Sequence, residues 1–166
     1  MNLIRNAVIA LAVAVGLAGA AQAVEVTLTP QYPVAKVTFP KGWSVTTIER
    51  GVESRSPDEE VFLWFEVYRS SESDKVMREH ERYFTKQGVR ITGAPTSNGS
   101  SVAGVTIKAT NMPATWKGAP TVLRYLVFDF GPSANRQLLM SVWASPEGDK
   151  QHDPAVQSII DSLKAP

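Results

Sequence analysis

Val61-Phe62-Leu63-Trp64-Phe65-Glu66-Val67-Tyr68 carries a single charge, Glu66, in an otherwise apolar and aromatic run. A strand that is covered on one face only alternates apolar with polar residues, whereas one buried on both faces reads as continuous hydrophobicity. Val61 to Tyr68 is of the second kind. It is expected to be a central strand with helices or covering segments on both of its faces.

Working outward, a serine-rich segment leads into a helix from about Asp74 to Gln87, with Ser71 or Ser73 as N-cap and Gly88 in place to end it. At 100° per residue, Val76, Met77, His80, Tyr83 and Phe84 share one arc, which faces the sheet. Lys75, Arg78, Arg82 and Lys86 form a basic stripe on the other side. Upstream, Val24 to Thr29, Val34 to Phe39 and Trp43 to Ile48 alternate as strands do, with Pro40-Lys41-Gly42 as a turn between the last two. Downstream, Ala103 to Thr110 alternates as a half-buried strand, and Thr121 to Phe130 with Leu138 to Ala144 form a hairpin around Gly131 to Asn135. Asp153 followed by Pro154 reads as the cap and first position of a second helix, with Ala155, Val156, Ile159, Ile160 and Leu163 on one face. Gly51 to Glu59, Gly93 to Ser101 and Asn111 to Pro120 are left as loops, none long enough to divide domains. The expected class is α+β, a mostly antiparallel sheet of six or seven strands with helices on its faces, in one domain over residues 24–166.

Residues 1–23 stand outside that domain. Arg5 is their only charge, Ala7 to Ala20 is apolar, and Ala21-Gln22-Ala23 has the small-x-small form of a signal-peptidase site. The apolar run is shorter than the ~20 residues that span a bilayer. Export with cleavage after Ala23 is therefore expected, to the periplasm or beyond the cell, with no stable membrane insertion afterwards. Removing Arg5 from 17 basic residues against 16 acidic ones leaves a formally neutral chain. Such a chain lacks the charge on which nucleic-acid binders rely. The absence of cysteine excludes disulfides, thiol nucleophiles, cysteine-ligated metals and lipoprotein anchoring. Asn98-Gly99-Ser100 matches a glycosylation sequon, which is coincidental in a bacterial setting.

Phe39-Pro40-Lys41-Gly42-Trp43, the apolar strand with its serine-rich cap and helix, and Ile159-Ile160-Asp161-Ser162-Leu163-Lys164 together resemble the PsbP-like, Mog-type superfamily, which includes the DcrB-type bacterial proteins. The resemblance implies an α/β/α sandwich and a non-enzymatic role. Members of that superfamily bind and steady protein partners, including photosystem components, a nuclear-transport GTPase and bacterial secretion effectors. The shared residues belong to core and turns, so no site residue transfers with them.

No Gly-x-Ser-x-Gly, Ser-x-x-Lys or glycine-rich phosphate loop occurs. With only His80 and His152, a three-histidine metal site is excluded, and His80-Glu81 is not followed by the second His of a zinc protease. No metal and no cofactor are expected. His80 has two readings: a general base or pH sensor, or a core histidine bonded to the backbone or to Glu66. The second is favoured because buried polar groups are normally paired. His152 reads as an exposed residue ahead of a helix cap, and Asp58-Glu59-Glu60 as a solvated turn. Trp43, Trp64 and Trp143 lie in strands and read as core.

Candidate partner-binding residues are the basic stripe Lys75, Arg78, Arg82 and Lys86, and the Met112 and Trp116 pair in the proline-flanked loop. Trp is enriched where interfaces concentrate their energy, but Trp116 could equally fold back over the sheet. The expectation is an exported, monomeric, non-enzymatic module that binds a protein partner. The alternatives are a small-ligand or lipid carrier with a cavity between sheet and helix, and a hydrolase using His80 and Glu66.

Overall fold

The computed structural model describes residues 22–29, 34–102, 105–131 and 135–164. The signal-peptide reading of residues 1–23 falls almost wholly outside them, as do Ala103, Gly104 and the centre of the Gly131 to Asn135 turn. The strands are β1 (Val24–Thr27), β2 (Lys36–Phe39), β3 (Ser44–Ile48), β4 (Gly51–Arg55), β5 (Val61–Arg69), β6 (Val89–Ile91), β7 (Thr96–Val102), β8 (Val105–Trp116), β9 (Ala119–Asp129) and β10 (Arg136–Ala144). The helices are α1 (Ser73–Lys86) and α2 (Pro146–Asp161). β3-β4-β5-β10-β9-β8-β6 is the order of the main sheet; β7 also pairs with β8, and β1 with β2 form a separate hairpin. Every pairing between these strands is antiparallel. The main sheet thus has eight strands, against the six or seven expected.

β5 occupies the interior position that its apolar run demands, bonded to β4 on one edge and β10 on the other. Its residues alternate between two cores. Val61, Leu63, Phe65 and Val67 pack with Val37 and Phe39 of β2 and with Val156 and Ile159 of α2. Phe62 and Trp64 pack with Phe84 of α1 and Trp143 of β10, and Tyr68 packs with Val76 and Leu139. Helix α1 therefore covers one face; α2 and the β1–β2 hairpin cover the other. The mostly antiparallel α+β architecture follows, with each fully buried Leu or Phe contributing about 1.5–3 kcal/mol.

The terminal motifs serve this arrangement. Phe39 meets Phe65 edge to face at 5.5 Å. The Trp43 amide donates to the Pro40 carbonyl at 3.2 Å, closing a turn in which Gly42 takes φ +88°, a conformation that side chains disfavour. At the other end the Thr38 amide donates to Ser162 Oγ at 2.8 Å, and Lys36 and Lys164 exchange backbone bonds of 2.9 and 3.2 Å.

Several boundaries differ from the sequence expectation. Ser70–Glu72 forms a 3-10 turn ahead of α1, so the N-cap is Glu72, with no side-chain cap bond, rather than Ser71 or Ser73. Helix α2 begins at Pro146, capped by Ser145, whose Oγ accepts from the Gly148 amide at 2.9 Å. Pro154 lies inside α2, and Asp153 is not its cap. Gly148 lies in the first turn of α2. A Cβ there would come within 2.6 Å of Glu60 Cβ, so glycine is required for α2 to seat against the β4–β5 turn. Ser145→Ala is accordingly expected to cost about 1 kcal/mol, and Asp153→Ala to leave the melting midpoint unchanged.

The three expected loops contain strands. β4 replaces the first half of Gly51 to Glu59. β7, Thr96–Val102, is polar and exposed wherever its side chains are described, and exists through its seven-residue register with β8. Asn111 to Pro120 is the end of a continuous β8–β9 ladder, turned by Lys117 and Gly118.

Candidate functional site

On the α1 side of the sheet, period-two spacing puts Trp64 and Glu66 of β5 on one face, and helical spacing puts Glu79, His80 and Tyr83 of α1 above them. Arg50 reaches in from the β3–β4 turn. Together these six residues line a cavity of about 190 Å³. Glu66 and His80 are each 7% exposed and hydrogen-bonded to one another through Oε2 and Nε2. The Arg50 guanidinium donates to Glu66 Oε1 at 3.0 Å from Nε and 2.9 Å from Nη2, and Nη2 reaches Glu79 Oε2 at 2.7 Å. His80 Nδ1 lies 3.1 Å from Ser141 Oγ on β10.

Burial alone would raise the Glu66 carboxyl. The hydrogen bond and charge of His80, with those of Arg50, outweigh it and hold the group below the usual carboxylate range. An ionised Glu66 can only accept, so Nε2 of His80 carries a hydrogen. Ser141 Oγ can then donate to Nδ1 or accept from it. The two residues read as a catalytic pair or a core pair do meet, and they share a cleft. The serine beside them is 0% exposed, deep in β10, where no substrate carbonyl can reach it. Tyr125 closes the far side of His80, ring to ring at 5.7 Å, and its phenol is pushed up by burial and by the charges of Glu81 and Glu66.

The expected contact pair Met112 and Trp116 is half-buried and packs onto the second core. Trp116 folds back over the sheet: its Nε1 donates to the Gln87 carbonyl at the end of α1 at 2.8 Å, and its ring stands edge-on to Trp143 at 5.5 Å. Trp116→Ala is expected to lower stability by about 2 kcal/mol, less than a fully buried Trp would, because part of its surface already meets water. Thermal melting reads this directly. Trp43, Trp64 and Trp143 are buried, as expected. Lys75, Arg78, Arg82 and Lys86 are all exposed on the outer side of α1.

His152 and Asp58 form a second polar contact that sequence reading separated. His152, in the second turn of α2 rather than ahead of a cap, meets Asp58 Oδ2 at 2.8 Å and stands edge-on to Trp43 at 5.8 Å. Burial is the largest single influence on Asp58 and opposes its ionisation, but hydrogen bonds from the Ser56 hydroxyl, His152 and the Glu60 amide together outweigh it and bring its pKa to about 2. A carboxyl depressed in the folded state contributes stability that is present above its unfolded value of about 4 and lost as pH falls toward 2. Asp58→Asn should flatten the stability profile in that window and lower stability at neutral pH, because the contribution of the ionised carboxyl is removed throughout. Among the described residues no group of three or more His, Asp or Glu is placed to hold a metal ion, and no helix is long and apolar enough to cross a membrane.

An antiparallel sheet sandwiched between one helix and a helix-plus-hairpin layer, with the polar cluster under α1, defines the class by fold. The solution structure of cyanobacterial PsbP (CyanoP) from Synechocystis sp. PCC 6803 matches it with a TM-score of 0.61 at 10% identity, over 92% of this chain and 98% of that one. The fold is PsbP-like. A crystal structure of a Pseudomonas aeruginosa protein of unknown function gives a looser likeness, TM-score 0.44 at 14% identity, covering 87% of this chain and 98% of that one. No family profile and no curated protein sequence matches the chain.

Proposed function

We propose that this chain is an exported, non-enzymatic binding module of the bacterial cell envelope that docks an acidic surface of a protein partner on the outer face of α1. The observation that carries this reading is the state of Lys75, Arg78, Arg82 and Lys86. All are exposed, and none makes an ion pair among the described residues. A merely solvated helix face is usually laced with opposite charges at i,i+4. Here Glu79 is turned inward to Arg50 and Glu72 bonds the Arg69 amide, which leaves Asp74 and Glu81 as the exposed carboxylates of α1 against four exposed basic residues. Arg78, Glu81, Arg82, Thr85 and Lys86 line a shallow depression of about 530 Å³ on this face. A row of like charges left unpaired costs some stability and favours encounter with an acidic surface.

Export is supported by the pattern of residues 1–23 and by the absence of any cysteine for lipid attachment. A non-enzymatic role is supported by the burial of Ser141, which is 0% exposed. The same proposal assigns the chain to the Mog-type, DcrB-like branch of its fold, on the motifs Phe39 to Trp43 and Ile159 to Lys164. A cavity of about 190 Å³ is below the 300–1,000 Å³ typical of drug-sized ligand sites and too small for a lipid chain.

Two measurements test the proposal. Protein recovered from a periplasmic fraction should begin at Val24; a chain retained in the cytoplasm with its first residues intact would remove the envelope reading. An acidic partner cross-linked in the native envelope should be released by raised salt and lost with the Lys75→Glu, Arg82→Glu double variant. Equal capture by that variant, or hydrolytic turnover abolished by His80→Gln, would overturn the binding-module assignment.

A further inference from the structure

The cavity beneath α1 is separate from the basic face above it, and its walls describe a ligand. Trp64 and Tyr83 stand 5.8 Å apart at 68°, making two adjoining aromatic walls. Both residues line the cavity, and the faces of aromatic rings carry the negative side of the ring quadrupole, which attracts cations. Glu66 and Glu79 supply two carboxylates. Both Glu66 oxygens are already engaged, by His80 and by Arg50. Glu79 bonds Arg50 through Oε2 only, and its side chain is 37% exposed, so its other oxygen faces an entrant ligand.

Arg50 shows what this environment holds. Its guanidinium comes from a turn, remains 28% exposed, and inserts between the two carboxylates. It acts as a built-in cation at the mouth of a box that is aromatic on two sides and acidic on the others. An anion entering to meet Arg50 would lie against Glu66 and Glu79, and like-charge contact rejects it. The volume of about 190 Å³ corresponds to about six waters at ~30 Å³ each, the size of a whole small molecule rather than of a head group alone.

We propose that the cavity lined by Trp64, Tyr83, Glu66 and Glu79 is a binding site for a small organic cation bearing an ammonium or guanidinium head, with Glu79 as its acceptor and Arg50 as the displaceable intramolecular competitor. Binding places the cationic head against Glu79 and the rings, and Arg50 swings toward solvent.

The test titrates the purified protein with choline, agmatine, the uncharged choline isostere 3,3-dimethylbutanol, acetate and a blocked arginine tripeptide, by calorimetry and by the Trp64 indole N–H resonance. Choline or agmatine should bind at least about tenfold more tightly than the alcohol, and acetate should not compete. Glu79→Gln should weaken cation binding about tenfold at an unchanged melting temperature, while Arg50→Met should tighten it. Equal affinity for the alcohol, preference for acetate, or no shift of the Trp64 resonance with either cation overturns the site. Tighter binding of the tripeptide than of agmatine would assign the cavity to a partner's side chain and overturn the free-ligand form of the proposal.

Discussion

Glu66→Leu should lower the stability of the protein by about 3–5 kcal/mol, the cost typical of removing one partner from a buried ion-paired network. Glu66 is the acceptor on which the His80 Nε2 hydrogen and two Arg50 donors converge. Without it, His80 keeps only Ser141 among the hydrogen bonds described, and the aromatic rings packed on its imidazole limit how far water in the adjoining cavity can replace the lost bond. Arg50 is less affected, since it is part-exposed and retains Glu79. The expected loss of melting temperature is about 10 °C for a chain of this size. Glu66→Gln, which keeps an oxygen for His80, should recover more than half of it. The pH profile checks the cause. Because the folded Glu66 carboxyl is held below its ordinary value, its contribution is present above the unfolded carboxylate range and lost as pH falls through the lower folded value. That component of the acid limb should vanish in Glu66→Leu. An unchanged melting temperature would mean that α1 does not depend on this cluster.

Phe65→Ala should be of similar size, about 3–5 kcal/mol, by a different mechanism. Phe65 is 0% exposed, sits mid-strand in β5, and faces Phe39 edge to face at 5.5 Å. Truncation removes its transfer energy and leaves a cavity between the central sheet and the β1–β2 hairpin. Neighbouring backbone is held by ladders on both sides, so collapse into the void is limited. Phe65→Leu should lose much less, since it retains most of the volume. Denaturant unfolding at neutral and at acid pH separates this case from Glu66→Leu: the Phe65→Ala deficit should persist undiminished at acid pH. A loss below 1 kcal/mol would show that the β1–β2 layer is only loosely attached.

The two predictions act on adjacent residues of one strand but on opposite faces of the sheet. That geometry also explains how far the sequence could be read. The arc Val76, His80 and Phe84 is buried as its spacing required, because helical periodicity survives any tertiary context that covers one side. β7 was unreadable for the opposite reason: Thr96 to Ser101 has no apolar face, and only the length of β8 beside it makes a strand of it. The start of α2 was misplaced because Ser145-Pro146 and Asp153-Pro154 present the same cap-and-proline signal. Gly148 stands in the first turn because a Cβ there would meet Glu60.

At the site, sequence placed Glu66 as the only charge in a core strand and His80 in the middle of an apolar arc, and a bond between the two was a natural expectation. Arg50 and Glu79 carried no such signal. Arg50 lies in a turn, where any polar residue is unremarkable, and Glu79 sits beside the basic stripe on α1. Asp58 and His152 are also 94 residues apart, a separation over which only folding decides proximity.

The apolar run of β5 and the helical arc of α1 are one-dimensional patterns, so the class of fold and the two-sided burial were contained in the order of residues. Whether Trp116 faces solvent, which serine lies beside His80, which glutamates remain free to offset the basic stripe, and that a cavity opens between Trp64 and Tyr83 were decided only by tertiary structure. These depend on distances between elements, and period and propensity set the direction of a side chain from its own backbone without determining what it meets.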